Sequence, residues 1–310
     1  MSGAGKSIFE HYVKPEAEAP VFEEHDDAPP ANRFRLSATG WIGVGVVVFW
    51  AVIALIGPWI APWGENDLPF PDDYGRFQPP RPGAWLGTDA EDRDVLSRIV
   101  YGASRTFGIS LAAATLAYVI GTILGVIATV TSPRVDMILS RIVDAFLSLP
   151  NIMLGLVVVA ALGSSIPVLI VTAGVIYSCI VFRLARTLSA DVMVCDFVEA
   201  ARVRGETIWW IIFREIWPNI SMPLISDFGL RLIYVILFIA GLSFLGLGIQ
   251  PPQADWGSMV RENLAAFQTS SASIWAPLAP AIAIASLTVG INLIVDDIAV
   301  HAGGRFSKSL

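Results

Sequence analysis

Few residues in this chain have the type and spacing that bond chemistry requires. The three histidines, His11, His25 and His301, are scattered through the terminal stretches and share no metal-ligand spacing. Cys179 and Cys195 sit in mostly apolar surroundings and offer neither a disulfide framework nor a zinc spacing. The string GAGKS at Gly3 to Ser7 has the end of a phosphate loop, but that motif needs another glycine five positions before Gly5, ahead of Met1. No catalytic triad can be assembled. Two constellations remain: the run EAARVRG from Glu199 to Gly205, and Asp227 with Arg231 four residues later in an apolar stretch. Both suit recognition and electrostatics, so the expectation is a non-catalytic chain that binds no cofactor or metal itself.

The elements that must position these residues follow from composition. Of 310 residues, 55% are hydrophobic and only 15% charged, against roughly 25% charged in soluble globular chains. Mean hydropathy is +0.64. A net charge of −7, with no dense basic run, excludes a nucleic-acid binder, which must neutralise phosphates with clustered lysine and arginine. A bilayer core takes about twenty apolar residues in a helix. Six such windows emerge, roughly at 38 to 61, 104 to 130, 143 to 163, 167 to 188, 222 to 248 and 276 to 300. Lipid offers no water to open backbone groups, so the fold class expected is an all-α integral membrane protein with six transmembrane helices. Pro150 and Asn151 are expected to kink the third window or let it line a polar cavity rather than face lipid, and glycines 121, 125, 241, 246 and 248 suit close helix packing.

Residues 1–37 are acidic and proline-rich, without an apolar run long enough for a signal peptide, and read as a disordered cytoplasmic tail. The first transmembrane helix follows at 38–61, an external loop at 62–103, a five-helix core at 104–300 containing an internal loop at 189–221, and a short cytoplasmic tail at 301–310. Placing both termini in the cytoplasm puts thirteen of the twenty lysines and arginines on that side, six outside, and Arg231 within the fifth span. The positive-inside rule favours that orientation.

Within the internal loop, apolar positions from Phe197 to Val203 alternate with Glu199, Arg202 and Arg204, the pattern of a short half-buried helix. Asp196 is expected to cap its start, Gly205 to end it in a left-handed turn, and Thr207 to cap a second helix from Ile208. Small side chains at Ala200 and Ala201 would let a partner's surface approach the backbone. The same pattern also fits an amphipathic helix lying on the membrane surface. Asp227 and Arg231 share a helix face and can pair, either as a structural ion pair near the inner interface or facing a translocation path or neighbouring subunit. Arg183, Asp296 and Asp297, near inner span ends, are expected to reach the interface by snorkelling or shallow placement.

The spacing of EAARVRG, followed by nine residues and EIWP, resembles the coupling-loop signature of ABC importer permeases. Glu199, Ala200, Ala201, Gly205 and Pro218 fall in register, and Glu215 and Trp217 replace the usual Ile and Leu. LGTDAEDRDVLSRIVYGASRT at Leu86 to Thr106, with Asp92 where a glycine is usual, and FLGLGIQPPQADWGSMV at Phe244 to Val260 narrow the resemblance to the dipeptide and oligopeptide type, specifically the second of its two permease chains. The resemblance implies the type I importer permease fold, a bacterial inner-membrane location, and import of peptides or peptide-like solutes. It implies as partners a homologous second permease, two ABC ATPases that use ATP and Mg, and an external solute-binding protein, with Glu199, Ala200, Ala201, Arg202, Gly205 and Pro218 as the ATPase-coupling residues. The rivals are a proton-coupled secondary transporter, which would need an intramembrane carboxylate relay, and a non-transporting membrane scaffold.

Overall fold

Long apolar runs close their own backbone hydrogen bonds as helices, and the computed structural model, which describes residues 37–306 apart from 74 and 270, is built almost wholly from them. The tail before Ser37, with its GAGKS string, His11 and His25, lies outside the described residues, as does the His301 side chain. Helix α1 is Ala38–Ile60, capped by Ser37, whose hydroxyl accepts from the Gly40 amide at 3.2 Å. Helix α2 is Val95–Val130, capped by Asp94 through the Ser97 amide at 2.7 Å. It begins well before the expected position 104, because Ser97, Arg98 and Arg105 depress hydropathy in its first turns without interrupting the helix.

The expected third span departs most from a simple helix. It is two helices, α3 (Pro133–Leu147) and α4 (Asn151–Leu162), bent by 88° across the break. Pro150 disfavours helical geometry at Leu149, and the charges of α3 (Arg134, Asp136, Arg141, Asp144) make that helix amphipathic rather than apolar throughout. Next come α5 (Ile166–Met193), the short α6 (Asp196–Val203) and α7 (Ile208–Ile211), a π-helical turn (Ile212–Ile216), and α8 (Trp217–Phe244). Short α9 (Trp256–Glu262) and α10 (Ala266–Thr269) lead through a 3-10 turn (Ser271–Ile274) to α11 (Trp275–Phe306). Among the described residues, five helices are long and apolar enough to span a membrane, six if the bent pair counts as one. Among the described residues β-pairing is confined to two isolated bridges, Arg81 with Ala84 and Thr88 with Asp94.

Close backbone approach, rather than burial from water, holds helices together in lipid. A Cβ on Gly121 would lie 2.6 Å from Val181 Cβ, and one on Gly125 2.8 Å from Phe182 O, so α2 and α5 touch through these glycines. Helices α1 and α11 meet likewise, Gly43 against Gly290 O at 2.6 Å, and Trp50 Nε1 donates to Ser286 Oγ at 2.9 Å. Helix α8 runs through the middle of the core, with Val235, Ile236, Ile239 and Leu242 sealed from solvent. Trp256 is also fully buried; its Nε1 donates to Ile99 O at 2.9 Å, and its ring meets Trp50 edge-on at 4.7 Å.

The segment between α1 and α2 is ordered by buried charge. Arg93 Nε bonds Asp89 Oδ2 at 2.8 Å, while Arg98, fully buried, lies 3.3 Å from the same oxygen and 3.6 Å from Glu262 of α9. Arg105 NH2 bonds Glu65 Oε2 at 2.9 Å. The Thr106 hydroxyl donates to Asp255 Oδ1 at 2.9 Å. Asp92 has φ +64°, in the left-handed region that glycine enters without penalty and aspartate tolerates better than most residues. That backbone requirement explains why glycine is usual at this place in the motif that Leu86 to Thr106 resembles.

Candidate coupling loop and intramembrane ion pair

The loop after α5 builds a small wedge. Cys195, in extended geometry, is the residue before α6, and its carbonyl accepts from the amides of Val198 and Glu199 at 3.0 and 3.3 Å. Asp196 is therefore not the cap; it is the first helical residue, where a carboxylate still faces the positive end of the helix. Val198 and Ala201 are fully buried against Ala185, Ile211, Ile216 and Ile220. Glu199, Ala200, Arg202 and Arg204 face outward, with Val203 83% exposed. The two alanines thus do different things: Ala201 fastens the wedge to its own chain, and of the pair only Ala200 leaves backbone open to a partner.

Gly205 ends the wedge with φ +81°. A Cβ there would meet nothing within 4 Å, so the dihedral rather than space favours glycine. Its amide donates to Arg202 O at 2.9 Å, and the Glu206 amide reaches back to Ala201 O at 3.2 Å. Thr207 then caps the next helix, its hydroxyl accepting from the Trp210 amide at 3.3 Å. From Ile208 to Phe244 the chain is one helical element of 37 residues. The π-turn sits just ahead of Pro218, which has no N–H to offer the carbonyl one turn back. The rod that carries Pro218 at the wedge therefore also carries Asp227 and Arg231.

Asp227 and Arg231 form a two-point ion pair, Nε to Oδ2 at 3.0 Å and NH2 to Oδ1 at 3.2 Å, with side chains 18% and 19% exposed. The Tyr118 hydroxyl of α2 donates to the same Oδ2 at 2.7 Å. The Arg231 guanidinium lies 5.8 Å from the Tyr234 ring centre, and the Tyr177 hydroxyl donates to Tyr234 O at 3.0 Å. Sequence reasoning did not find Tyr118. The available signal was a lone phenol in an apolar run, whose hydroxyl needs a partner where there is no water.

Arg183, Asp296 and Asp297, expected to reach the interface by snorkelling or shallow placement, each meet a hydrogen-bonding partner. Arg183 bonds Asp144 of α3. Arg186 NH2 bonds Asp136 at 2.6 Å. Asp297 Oδ2 accepts from the Ser37 amide at 3.1 Å, and Asp296 accepts from Asn292 at 2.9 Å. Burial pushes the carboxyls of Glu262 and Asp255 above the usual range. Burial also pushes Glu65 upward, but Arg105 and the Ala254 amide together outweigh it and hold Glu65 low. Among the described residues no group of three or more His, Cys, Asp or Glu is placed to hold a metal ion.

The family described as binding-protein-dependent transport system inner membrane component matches residues 96–308, and the N-terminal TM domain of oligopeptide transport permease C matches residues 31–80. A dipeptide transport system permease protein of Alkalihalophilus pseudofirmus is 30% identical over 298 residues, covering 92% of this chain and 96% of that protein. A glutathione transport system permease protein of Pectobacterium atrosepticum is 32% identical over 289 residues, covering 90% and 93%. Among solved structures, the MetNI methionine ABC transporter in inward-facing conformations superimposes with a TM-score of 0.51 at 19% identity, over 65% of this chain and 96% of that one, a likeness of fold. The chain belongs to the family of binding-protein-dependent transport system inner membrane components, as a non-catalytic, multi-pass permease subunit of an ABC importer.

Proposed function

We propose that this chain forms half of the translocation path of a heteromeric importer for peptides or peptide-like solutes, driven through its 189–221 loop. The substrate class rests on relatives described as dipeptide and glutathione transport permeases. The partners are a homologous second permease, two ABC ATPases that use ATP and Mg, and an external solute-binding protein. Both termini lie in the cytoplasm.

One observation carries the mechanism: α6 is fastened by Val198 and Ala201 to the base of the 37-residue helical element, so a force on its outer face is delivered to a transmembrane rod. Glu199, Ala200 and Arg202 form the face that seats in an ATPase, Gly205 sets the angle of exit, and Pro218 begins the ascent into the membrane. When the ATPases close on nucleotide, the seated wedge moves with them, and α8 moves as a rigid body carrying Asp227 and Arg231.

The test is Glu199→Lys and Gly205→Pro in the reconstituted complex, with peptide uptake and ATP hydrolysis measured together. Both variants should insert and assemble, with uptake per ATP lowered at least about tenfold, the size of an ordinary coupling energy. Unchanged uptake in both variants would remove the docking role from this loop.

A further inference from the structure

At the end of α1 the chain leaves the apolar span through an aromatic step. Trp59 is 81% and Ile60 52% exposed, and Trp85 in the following loop is 74% exposed. Trp63 is pinned between α1 and that loop, its Nε1 donating to Gly83 O at 2.7 Å and its amide to Ser97 Oγ at 3.1 Å. Pro62, Trp63, Gly83, Trp85, Asp94 and Leu96 line a cleft of about 260 Å³ at this level.

Asp94 distinguishes this cleft from an ordinary belt of interfacial tryptophans. The residue is 1% exposed. Its Oδ2 accepts from the Ser97 amide and hydroxyl at 2.7 and 2.6 Å, whereas Oδ1 is buried with no side-chain partner among the described residues, only the Leu96 amide beside it. Asp89 and Glu65 in the same outer segment each have an arginine; Asp94 has no cation at ion-pair distance among the described residues. Burial pushes its carboxyl upward, outweighing the Ser97 and Leu96 hydrogen bonds that pull it down, and the neighbouring Asp89 adds to the rise. None of the six lining residues is basic. A carboxylate set in a wall with two indoles attracts an ammonium ion, through charge and through the negative faces of the rings.

We propose that this cleft binds the ammonium headgroup of a phospholipid in the leaflet where α1 ends. The cleft begins two residues beyond α1, at headgroup level, where exposed Trp59 and Ile60 lie against the upper acyl chains. A free peptide carries the same chemistry at its amino terminus. The position directly beyond a lipid-facing helix end favours the lipid.

The experiment uses the full chain in mild detergent micelles containing equal phosphatidylethanolamine and phosphatidylglycerol, with retained lipid counted by native mass spectrometry. The expected result is one phosphatidylethanolamine per chain, preferred over phosphatidylglycerol by about fivefold, matching roughly one cation–π contact. Asp94→Asn keeps a helix-capping side chain, and Trp85→Ala removes an exposed ring; each should abolish the preference and leave phosphatidylglycerol retention unchanged. Equal retention of the two lipids by the parent chain, or an undiminished preference in both variants, would overturn the proposal. Displacement of the bound lipid by millimolar glycylglycine, lost in Asp94→Asn, would overturn the lipid assignment and give the cleft to peptide amines. This readout does not depend on transport, so it stands or falls separately from the import reading.

Discussion

The Tyr118 hydroxyl donates to Asp227 Oδ2 at 2.7 Å, so the carboxylate gripped by Arg231 from within α8 is held from α2 as well. The pair joins the helical element that carries the wedge to the helix that packs along α5, in the part of the molecule where an unpaired charge is most costly.

Removing one partner should therefore cost more than removing both. Asp227→Asn strands the guanidinium and should destabilise the chain by about 3 kcal/mol, whereas Tyr118→Phe should cost about 1 kcal/mol. Asp227→Leu combined with Arg231→Met should recover most of the loss. Thermal unfolding in detergent reads stability, and uptake in the reconstituted complex separates the two roles. A pair that only holds α2 to α8 regains both stability and transport in the double variant; a pair that faces the path regains stability alone.

The ion cluster around Arg98 can be tested by proteolysis. Among the described residues, Arg98→Met leaves Arg93 as the one arginine at ion-pair distance from Asp89 and Glu262, and the loss of a fully buried cation should cost about 3 to 5 kcal/mol. The segment between α1 and α2 should loosen first. Limited proteolysis there should speed up while the transmembrane core stays intact. Protection equal to that of the parent chain would show that the cluster does not order this segment.

Glu65 and Glu262 should respond to pH in opposite directions. The Glu65 carboxyl is held below its ordinary 4.5, so its contribution is complete above that value and is lost as pH falls through the lowered one. The Glu262 carboxyl is raised above 4.5, so its ionisation costs stability as pH climbs from 4.5 through the raised value. Melting should be followed from about pH 7 down to about pH 3.5 for the parent, Glu65→Gln and Glu262→Gln. The advantage of the parent over Glu65→Gln should shrink on acidification below 4.5. Relative to Glu262→Gln, the parent should instead gain as pH falls.

Local signals were legible in the sequence, and relationships across the bundle were not. Gly205 and Thr207 could be placed because a left-handed turn and a cap depend on a few neighbouring residues. The spans could be located because twenty apolar residues leave the backbone no other solution in lipid. Cys195 rather than Asp196 precedes α6 because the path of the chain out of α5 fixes that backbone, and no side-chain preference records it. Ala200 and Ala201 looked equivalent until the base of the rod appeared behind one of them. Arg98 with Glu262, and Tyr118 with Asp227, are separated by more than a hundred positions, and single-chain periodicity carries no information on such pairs. The 88° bend between α3 and α4 was half legible, since Pro150 marks where the helix breaks but not how far it turns.

The glycines between α2 and α5 make a steric prediction. Gly121→Leu would put its Cβ 2.6 Å from Val181 Cβ and 2.7 Å from the Ser178 carbonyl oxygen, and backbone cannot yield as a flexible side chain does. The two helices must separate, at a cost of about 1 to 3 kcal/mol or more. Gly108→Leu, on the same helix with nothing within 4 Å of its Cβ, is the control and should melt close to the parent. Equal melting of the two variants would mean that α2 and α5 do not approach as closely as the glycines allow.

The π-turn at Ile212–Ile216 is where the wedge's orientation is set relative to the membrane helix. A π-turn holds one residue more than the α-helical path, and each residue of an α-helix turns the chain by about 100°. Deleting Phe213, which is exposed and stacks on Trp209, should let the turn relax to α-helix and rotate α6 by about that angle about the axis of α8. Span insertion and the Asp227–Arg231 pair lie beyond the turn and should survive, which protease protection and melting would check. Coupling should not survive: the face bearing Glu199 and Arg202 would point away from its seat, and uptake per ATP should fall at least as far as in Glu199→Lys. Transport that persists in the deletion, with the chain inserted and assembled, would mean that the seat follows the wedge and that its angle is not what couples ATP to α8.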